Sequence, residues 1–149
     1  MTRVRFACAI ASFVAFLGVL PTPAAAQSFG GRVGVSADPD QFYFGLHYET
    51  RPLVEHLVFR PNLEIGIGDD TTLAALNFEF AYKFQAPKGS WKFYAGGGPA
   101  LNIYSGDKGA EPGFNVLLGI GHKDGLFFEV KVGAIDSPSF KFGVGYVFK

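Results

Sequence analysis

Apolar and polar residues alternate along most of the chain after residue 26. In the stretch SFKFGVGYVFK, every second position from Phe140 to Phe148 is apolar, and the residues between them are small or charged. A period of two is typical of a β-strand that has one apolar face. The same pattern recurs between clusters of turn residues along the rest of the chain. We predict eight strands, at 29–37, 41–50, 57–68, 72–85, 91–104, 113–123, 126–135 and 139–148.

The segments between these runs are short and rich in turn residues. They include SADPDQ, GDDTT and HKDG, with SGDKGAEPG between the fifth and sixth runs. Short connections favour antiparallel pairing of strands that follow one another in sequence. We therefore expect an up-and-down antiparallel arrangement.

The face opposite the apolar one is rich in glycine, which decides which face points outward. A solvated strand gains nothing from glycine, whereas the interior of a narrow barrel needs it beside large residues such as Tyr43, Tyr94 and Phe127. The glycines on this face are Gly34, Gly45, Gly66, Gly68, Gly96, Gly98, Gly119, Gly121, Gly133, Gly143 and Gly145. The apolar face would then contact lipid.

Aromatic residues lie near the predicted strand ends. They are Phe42, Tyr48, Tyr82, Phe84, Trp91, Phe93, Phe140, Tyr146 and Phe148. This placement matches the aromatic girdles at the two edges of a bilayer. The sequence thus predicts an all-β fold, an eight-stranded antiparallel up-and-down transmembrane β-barrel. The alternative is a soluble exported barrel, similar to a lipocalin, that binds an apolar ligand.

The first 26 residues have the pattern of a secretory signal. Arg3 and Arg5 precede the apolar run FACAIASFVAFLGVL, and PTPAAA supplies small residues for cleavage before Gln27. We assign 1–26 as a signal peptide and 27–149 as the barrel domain. The only cysteine, Cys8, lies in the leader, so we expect no disulfide in the mature chain.

The mature chain is nearly neutral. The leader holds two of the 13 basic residues and none of the 13 acidic residues. This balance gives no basic footprint for nucleic acid, so we expect no nucleic-acid partner.

The last strand also contains a short motif: a polar residue, a glycine and two aromatics at Lys141, Gly143, Tyr146 and Phe148. With the leader and the eight runs, the chain resembles the small eight-stranded outer-membrane barrels of Gram-negative bacteria, the OmpA-type and OmpX-type superfamily. In that family this motif is the assembly signal and ends on the aromatic, whereas here Lys149 follows. The resemblance implies a location in the cell outer membrane. It implies outer-membrane lipids, lipopolysaccharide and the barrel assembly machinery as partners, and we expect a monomer.

Charged residues recur on the predicted inner face. They are Arg32, Glu49, Arg60, Glu64, Glu79, Lys83, Lys92, Glu129, Lys131 and Lys141, with His47 beside them. Buried charges must pair, so we expect an ion-pair network that plugs the lumen. A gated path for ions or protons is the alternative.

A second set of charges lies in the connections expected on the outer side. It comprises Asp38, Asp40, Asp69, Asp70, Asp107, Glu111 and Asp136, with Lys108. Their oxygens could bind divalent cations shared with lipopolysaccharide phosphates, or they could form a solvated acidic rim.

Enzymes occur on the same fold, and lipid A deacylases of this size use a serine, a histidine and an acid. Their His-x-Ser pairing is missing, because Lys123 and Asp124 follow His122, and His56 stands beside Glu55. We assign no catalytic, cofactor-binding or metal-binding residue. We expect a non-enzymatic protein with a structural or adhesive role in the envelope. The alternatives are a narrow channel for small solutes or ions and a lipid A-modifying enzyme.

Overall fold

The computed structural model describes residues 27–85 and 88–148, and the predicted leader lies outside this part. The described chain forms eight strands that close into one barrel. The strands are β1 (Ser28–Ala37), β2 (Gln41–Glu49), β3 (Leu57–Ile67), β4 (Thr72–Lys83), β5 (Trp91–Tyr104), β6 (Gly109–His122), β7 (Leu126–Ile135) and β8 (Phe140–Phe148). The predicted fold class is confirmed.

Every strand pairs antiparallel with its neighbours in sequence, and β1 closes the ring against β8. Val33 of β1, for example, lies between Phe44 of β2 and Val144 of β8. Closure leaves no unpaired sheet edge, which an open sheet in lipid could not tolerate. The described residues contain no helix long and apolar enough to cross a membrane.

The two ends of the barrel differ in their connections. We call the end where β1 begins and β8 ends the terminal mouth; residues 50–56, 84–90 and 123–125 connect strands there. We call the other end the opposite rim, where the connections are 38–40, 68–71, 105–108 and 136–139. All four connections of the opposite rim are tight.

The start of the sixth strand differs most from its prediction, and the other boundaries agree within two residues. The prediction placed the start of the sixth strand at 113, but β6 begins at Gly109 and pairs there with Tyr104. Gly106 and Gly109 have positive φ angles of 86° and 72°, which glycine allows and which let the chain reverse within 105–108. Pro112 and Gly113 resemble loop residues in sequence but continue the strand. Glu111, predicted in a loop, therefore lies in β6 opposite Asn102.

The apolar faces point outward, as predicted. Phe78 and Val116 are 40% and 52% exposed, whereas the preceding residues Asn77 and Asn115 are buried. The interior holds polar and charged side chains, inward-pointing aromatic rings and two small apolar clusters around Leu117 and Leu73. The outer wall is the apolar surface that a bilayer would cover.

Glycine makes room for the large inner side chains, and this prediction is also confirmed. A Cβ at Gly119 would collide with the ring of Tyr94, and one at Gly145 would collide with Phe127. A Cβ at Gly143 would meet the hydroxyl of Tyr43.

The predicted aromatic residues lie unevenly between the two ends. Seven lie at or just beyond strand ends at the terminal mouth, and Phe42 and Phe140 lie at the opposite rim. Eight of the nine are exposed on the outer wall. Tyr48 is the exception, because the ring of Phe29 packs on it with centroids 5.0 Å apart.

Candidate functional site

Seven of the ten predicted lumen residues form one buried network, and each is at most 3% exposed. They are Arg32, Arg60, Glu64, Glu79, Glu129, Lys131 and Lys141. Their strands alternate inner and outer positions, so each strand contributes its charges to the same interior. The network lies in the middle of the barrel.

Lys131 connects strands across the lumen. Its Nζ lies 2.6 Å from Glu64 Oε1 and 2.6 Å from Glu79 Oε1. Glu64 accepts a further hydrogen bond from Lys141 Nζ at 2.6 Å through its Oε2. The three hydrogen bonds thus join β7 and β8 to β3 and β4.

Glu129 gathers the other half of the network. Arg32 Nη1 donates to its Oε1 at 2.6 Å, and the Tyr94 hydroxyl donates to its Oε2 at 2.7 Å. Arg60 also pairs with Glu129, and its guanidinium carbon lies 5.0 Å from the centroid of the Tyr94 ring. Both oxygens of this buried carboxylate are therefore satisfied, as a buried charge requires.

The network holds four basic side chains and three carboxylates. Several donors within it have no hydrogen-bond partner among the described residues: Arg32 Nε, Arg32 Nη2 and Arg60 Nε. Neither ring nitrogen of buried His47 has one either, and that ring packs edge-on against Phe127 at 5.5 Å. Asn102 Oδ1 and Asn115 Oδ1 are likewise buried without a partner in the described chain, so the interior retains unused donors and unused acceptors.

The other three predicted lumen residues do not join this network. Lys83 and Glu49 form a separate ion pair at the terminal mouth. Lys92 is exposed and has no ion pair within the described chain. All three residues lie at strand ends, where Lys83 and Glu49 pair apart from the main network, and Lys92, also predicted in the lumen network, has no partner in it among the described residues.

The sequence prediction missed a set of buried amides that extends the network. Asn62 Nδ2 donates to Glu79 Oε2, Asn77 donates to Asn62, and Asn115 donates to Asn77, each at 2.8 Å. All three occupy inward positions of their strands, and the alternation of residues along each strand is the sequence feature that could have identified them. They carry hydrogen bonds from β3 across to β6.

The β7–β8 connection closes the opposite rim. Ser137 and Pro138 are buried, and Asn102 Nδ2 donates to Ser137 Oγ and to the Asp136 carbonyl at 3.1 Å. The Tyr104 hydroxyl also donates to the Asp136 carbonyl at 2.5 Å. The β7–β8 connection therefore packs into the lumen at this rim.

The predicted acidic residues surround the same rim. Lys108 lies 3.6 Å from Asp136 Oδ1, and its Nζ lies 4.3 Å from the centroid of the Tyr104 ring. In the described part of the chain, no group of three or more His, Cys, Asp or Glu side chains is placed to hold a metal ion.

The residues of the predicted assembly signal point in both directions. Lys141 reaches the ion-pair network and Gly143 faces Tyr43 inside the barrel. Tyr146 and Phe148 point outward at the terminal mouth, with ring centroids 5.5 Å apart.

The three histidines lie in different environments. His47 is inside the lumen, His56 contacts Glu55 and Gln85 in the β2–β3 and β4–β5 connections, and His122 lies 3.2 Å from Asp124 Oδ2. Within the described chain, none of them has a serine or threonine hydroxyl at hydrogen-bonding distance. A nucleophile–histidine–acid set would need that contact.

A closed eight-stranded barrel with an apolar outer wall and a charged interior is the architecture of the small outer-membrane β-barrels. Two solved structures of that class are similar to this chain. The outer membrane enzyme PagL shares 13% identity at a TM-score of 0.54, covering 83% of this chain and 99% of its own. The N-terminal β-barrel domain of Pseudomonas aeruginosa OprF shares 15% identity at a TM-score of 0.57, covering 83% of this chain and 98% of its own. No family model and no curated protein sequence matches the chain.

Both likenesses extend over nearly the whole of the compared barrels. They agree with the resemblance to OmpA-type and OmpX-type barrels that the sequence indicates. At these identities they establish the fold.

Proposed function

We propose that this protein is an integral outer-membrane barrel with a non-enzymatic, structural or adhesive role in the envelope. The observation that carries the proposal is the ion-pair network that crosses the lumen, because Lys131 binds Glu64 and Glu79 on the far wall. An eight-stranded barrel has an interior that side chains just fill. A lumen crossed by buried ion pairs favours a structural wall protein over a transport pathway.

The short connections and the isolated histidines support the same role. The opposite rim has tight turns instead of long loops, which leaves little surface for a large receptor. The described histidines lack the hydroxyl partners of acyl-transfer chemistry.

Conductance in planar bilayers tests the plugged lumen. We expect the wild-type barrel to give no conductance steps. The variant Lys131→Ala/Glu79→Ala removes one charge of each sign from the network and should conduct. The matched control is Lys108→Ala/Asp136→Ala, which removes an ion pair from the opposite rim and should stay silent. Steady conductance of the wild type would support the channel alternative.

Fractionation of cells tests the location. The mature protein should be found with the outer membrane, and should migrate differently on a gel before and after boiling because the folded barrel resists detergent. A soluble periplasmic protein without such a shift would contradict the proposal. Activity on lipid A that is lost on mutating His56 or His122 would support the enzyme alternative.

A further inference from the structure

A cavity of about 330 Å³ opens at the terminal mouth, below the ion-pair network. Arg60, Tyr94 and Phe127 lie at its inner end, and strand ends of β2, β4, β5 and β6 form its sides. One water molecule occupies about 30 Å³ in the liquid, so the cavity could hold a small molecule of roughly ten non-hydrogen atoms.

The charges that line this cavity are mostly positive. Four basic side chains and one carboxylate belong to the lining: Arg60, Lys83, Lys92, Lys123 and Glu49. His122 also lines it and is held by Asp124 through its Nδ1. A low-dielectric wall around charges of one sign strengthens their attraction for an opposite charge.

Ion pairs within the described chain engage Arg60 and Lys83 and leave Lys92 without one. Among the described residues Glu49 is the single lining carboxylate, and it pairs with Lys83, while Arg60 pairs with Glu129 deeper in the lumen. Lys92 forms no ion pair in the described chain, and Arg60 Nε is buried without a hydrogen-bond partner. The cavity therefore offers an unused ammonium donor at its side, and the Arg60 guanidinium adds positive charge at its inner end.

The opposite rim has the reverse charge. Its connections contain Asp38, Asp69, Asp70 and Asp107, so negative and positive groups are separated along the barrel axis. An anion would therefore be attracted to the terminal mouth and repelled from the opposite rim.

From these observations we infer that the terminal mouth is a binding site for a small multivalent oxyanion. Lys92 and Lys83 contact the anion from the side, and Arg60 contacts it from the inner end. Phosphoryl and carboxylate groups share the chemistry that these donors recognise. Glu49 opposes binding, because it neutralises Lys83 and repels the anion. The site goes beyond the proposed structural role and requires only the folded barrel.

Isothermal titration calorimetry on the folded protein in non-ionic detergent tests the site, with pyrophosphate and citrate as separate probes at low ionic strength. We expect saturable binding of at least one probe. Tighter binding of pyrophosphate would assign the site to phosphoryl groups, and tighter binding of citrate would assign it to carboxylates. Failure of both probes to bind the wild type would overturn the inference.

Three variants separate the site from general attraction to exposed lysines. Lys92→Gln should weaken binding about tenfold, since it removes one charge-assisted hydrogen bond. Glu49→Gln should strengthen binding several-fold, and a gain in affinity cannot result from misfolding. Lys88→Gln is the matched control, because Lys88 is an exposed lysine of the 84–90 connection that does not line the cavity. Equal effects of Lys92→Gln and Lys88→Gln, or weaker binding by a folded Glu49→Gln variant, would overturn the inference.

Discussion

Lys131 Nζ of β7 lies 2.6 Å from Glu64 Oε1 of β3, although the two strands lie on opposite sides of the eight-stranded ring. An ion pair of this length between opposite walls spans the interior. Glu79 accepts from the same Nζ at 2.6 Å, so one ammonium group serves two carboxylates. Lys131 is 1% exposed, and water cannot replace either contact.

Lys131→Met should therefore destabilise the barrel strongly. The substitution keeps much of the side-chain volume but leaves Glu64 and Glu79 buried with less compensating charge. Breaking a buried ion pair on one side costs about 3–5 kcal/mol. Urea unfolding of the barrel in phospholipid vesicles measures this cost, and Trp91, the only tryptophan, provides the fluorescence signal.

Lys92→Met is the matched control for that experiment. Lys92 is also an inward-facing lysine, but it is exposed at the terminal mouth and lies outside the network. Its substitution should change the free energy of unfolding by less than about 0.5 kcal/mol. Equal effects at the two positions would show that the network contributes no more than surface charges do.

Phe78→Arg tests whether lipid covers the outer wall. Phe78 is 40% exposed near the middle of β4, where the hydrocarbon is deepest. An arginine there should cost about 2–4 kcal/mol in vesicles. Phe84→Arg, at an exposed aromatic beyond the end of the same strand, should cost only about 0–1 kcal/mol. A small cost at both positions would mean that water, and not lipid, covers this wall.

The strands and the direction of their faces are readable from the sequence because side-chain direction alternates strictly with position. Glycine on the face opposite the apolar one indicates that this face points inward. Gly119, for example, leaves room for the Tyr94 ring inside the barrel. The start of β6 is not readable in this way. Gly109, Pro112 and Gly113 have the composition of a loop, and only pairing with β5 extends the strand through them.

Which charged residues pair within the lumen is less predictable than which residues face inward. Parity places Glu64 and Lys131 inside, but their contact depends on the stagger of strands that are four places apart in the ring. The depth of each residue also matters, because Lys92 has the right parity but lies too close to the mouth to be buried. The alternation of apolar and polar residues along one strand reveals neither the stagger between strands nor the depth of a residue in the barrel.

Gly119→Phe should destabilise the barrel by crowding. A Cβ at this position collides with the Tyr94 ring, whose hydroxyl binds Glu129. Overpacking of a filled interior costs about 1–3 kcal/mol. Gly31→Phe is the matched control, because a Cβ at Gly31 has its nearest neighbours 3.9 Å away.

A double variant identifies the crowded partner. If the Tyr94 ring is the obstacle, Gly119→Phe/Tyr94→Ala should cost less than the two single substitutions together, since residues in contact are not additive. Unfolding in vesicles gives all four free energies. Additive costs would place the crowding elsewhere in the lumen.

Phe148→Ala should reduce the amount of assembled barrel in cells. The resemblance to the outer-membrane barrels predicts that Phe148 is part of an assembly signal, and its ring is 59% exposed on the outer wall at the terminal mouth. Loss of recognition by the assembly machinery would lower the fraction of the protein that is in the outer membrane and shows the heat-dependent gel shift. Refolding of the purified chain into vesicles should change little. The matched control is Phe140→Ala, an exposed phenylalanine of the same strand that lies outside the motif. Equal losses for the two variants in cells would show that the strand needs apolar area at both ends and that Phe148 has no separate role in recognition.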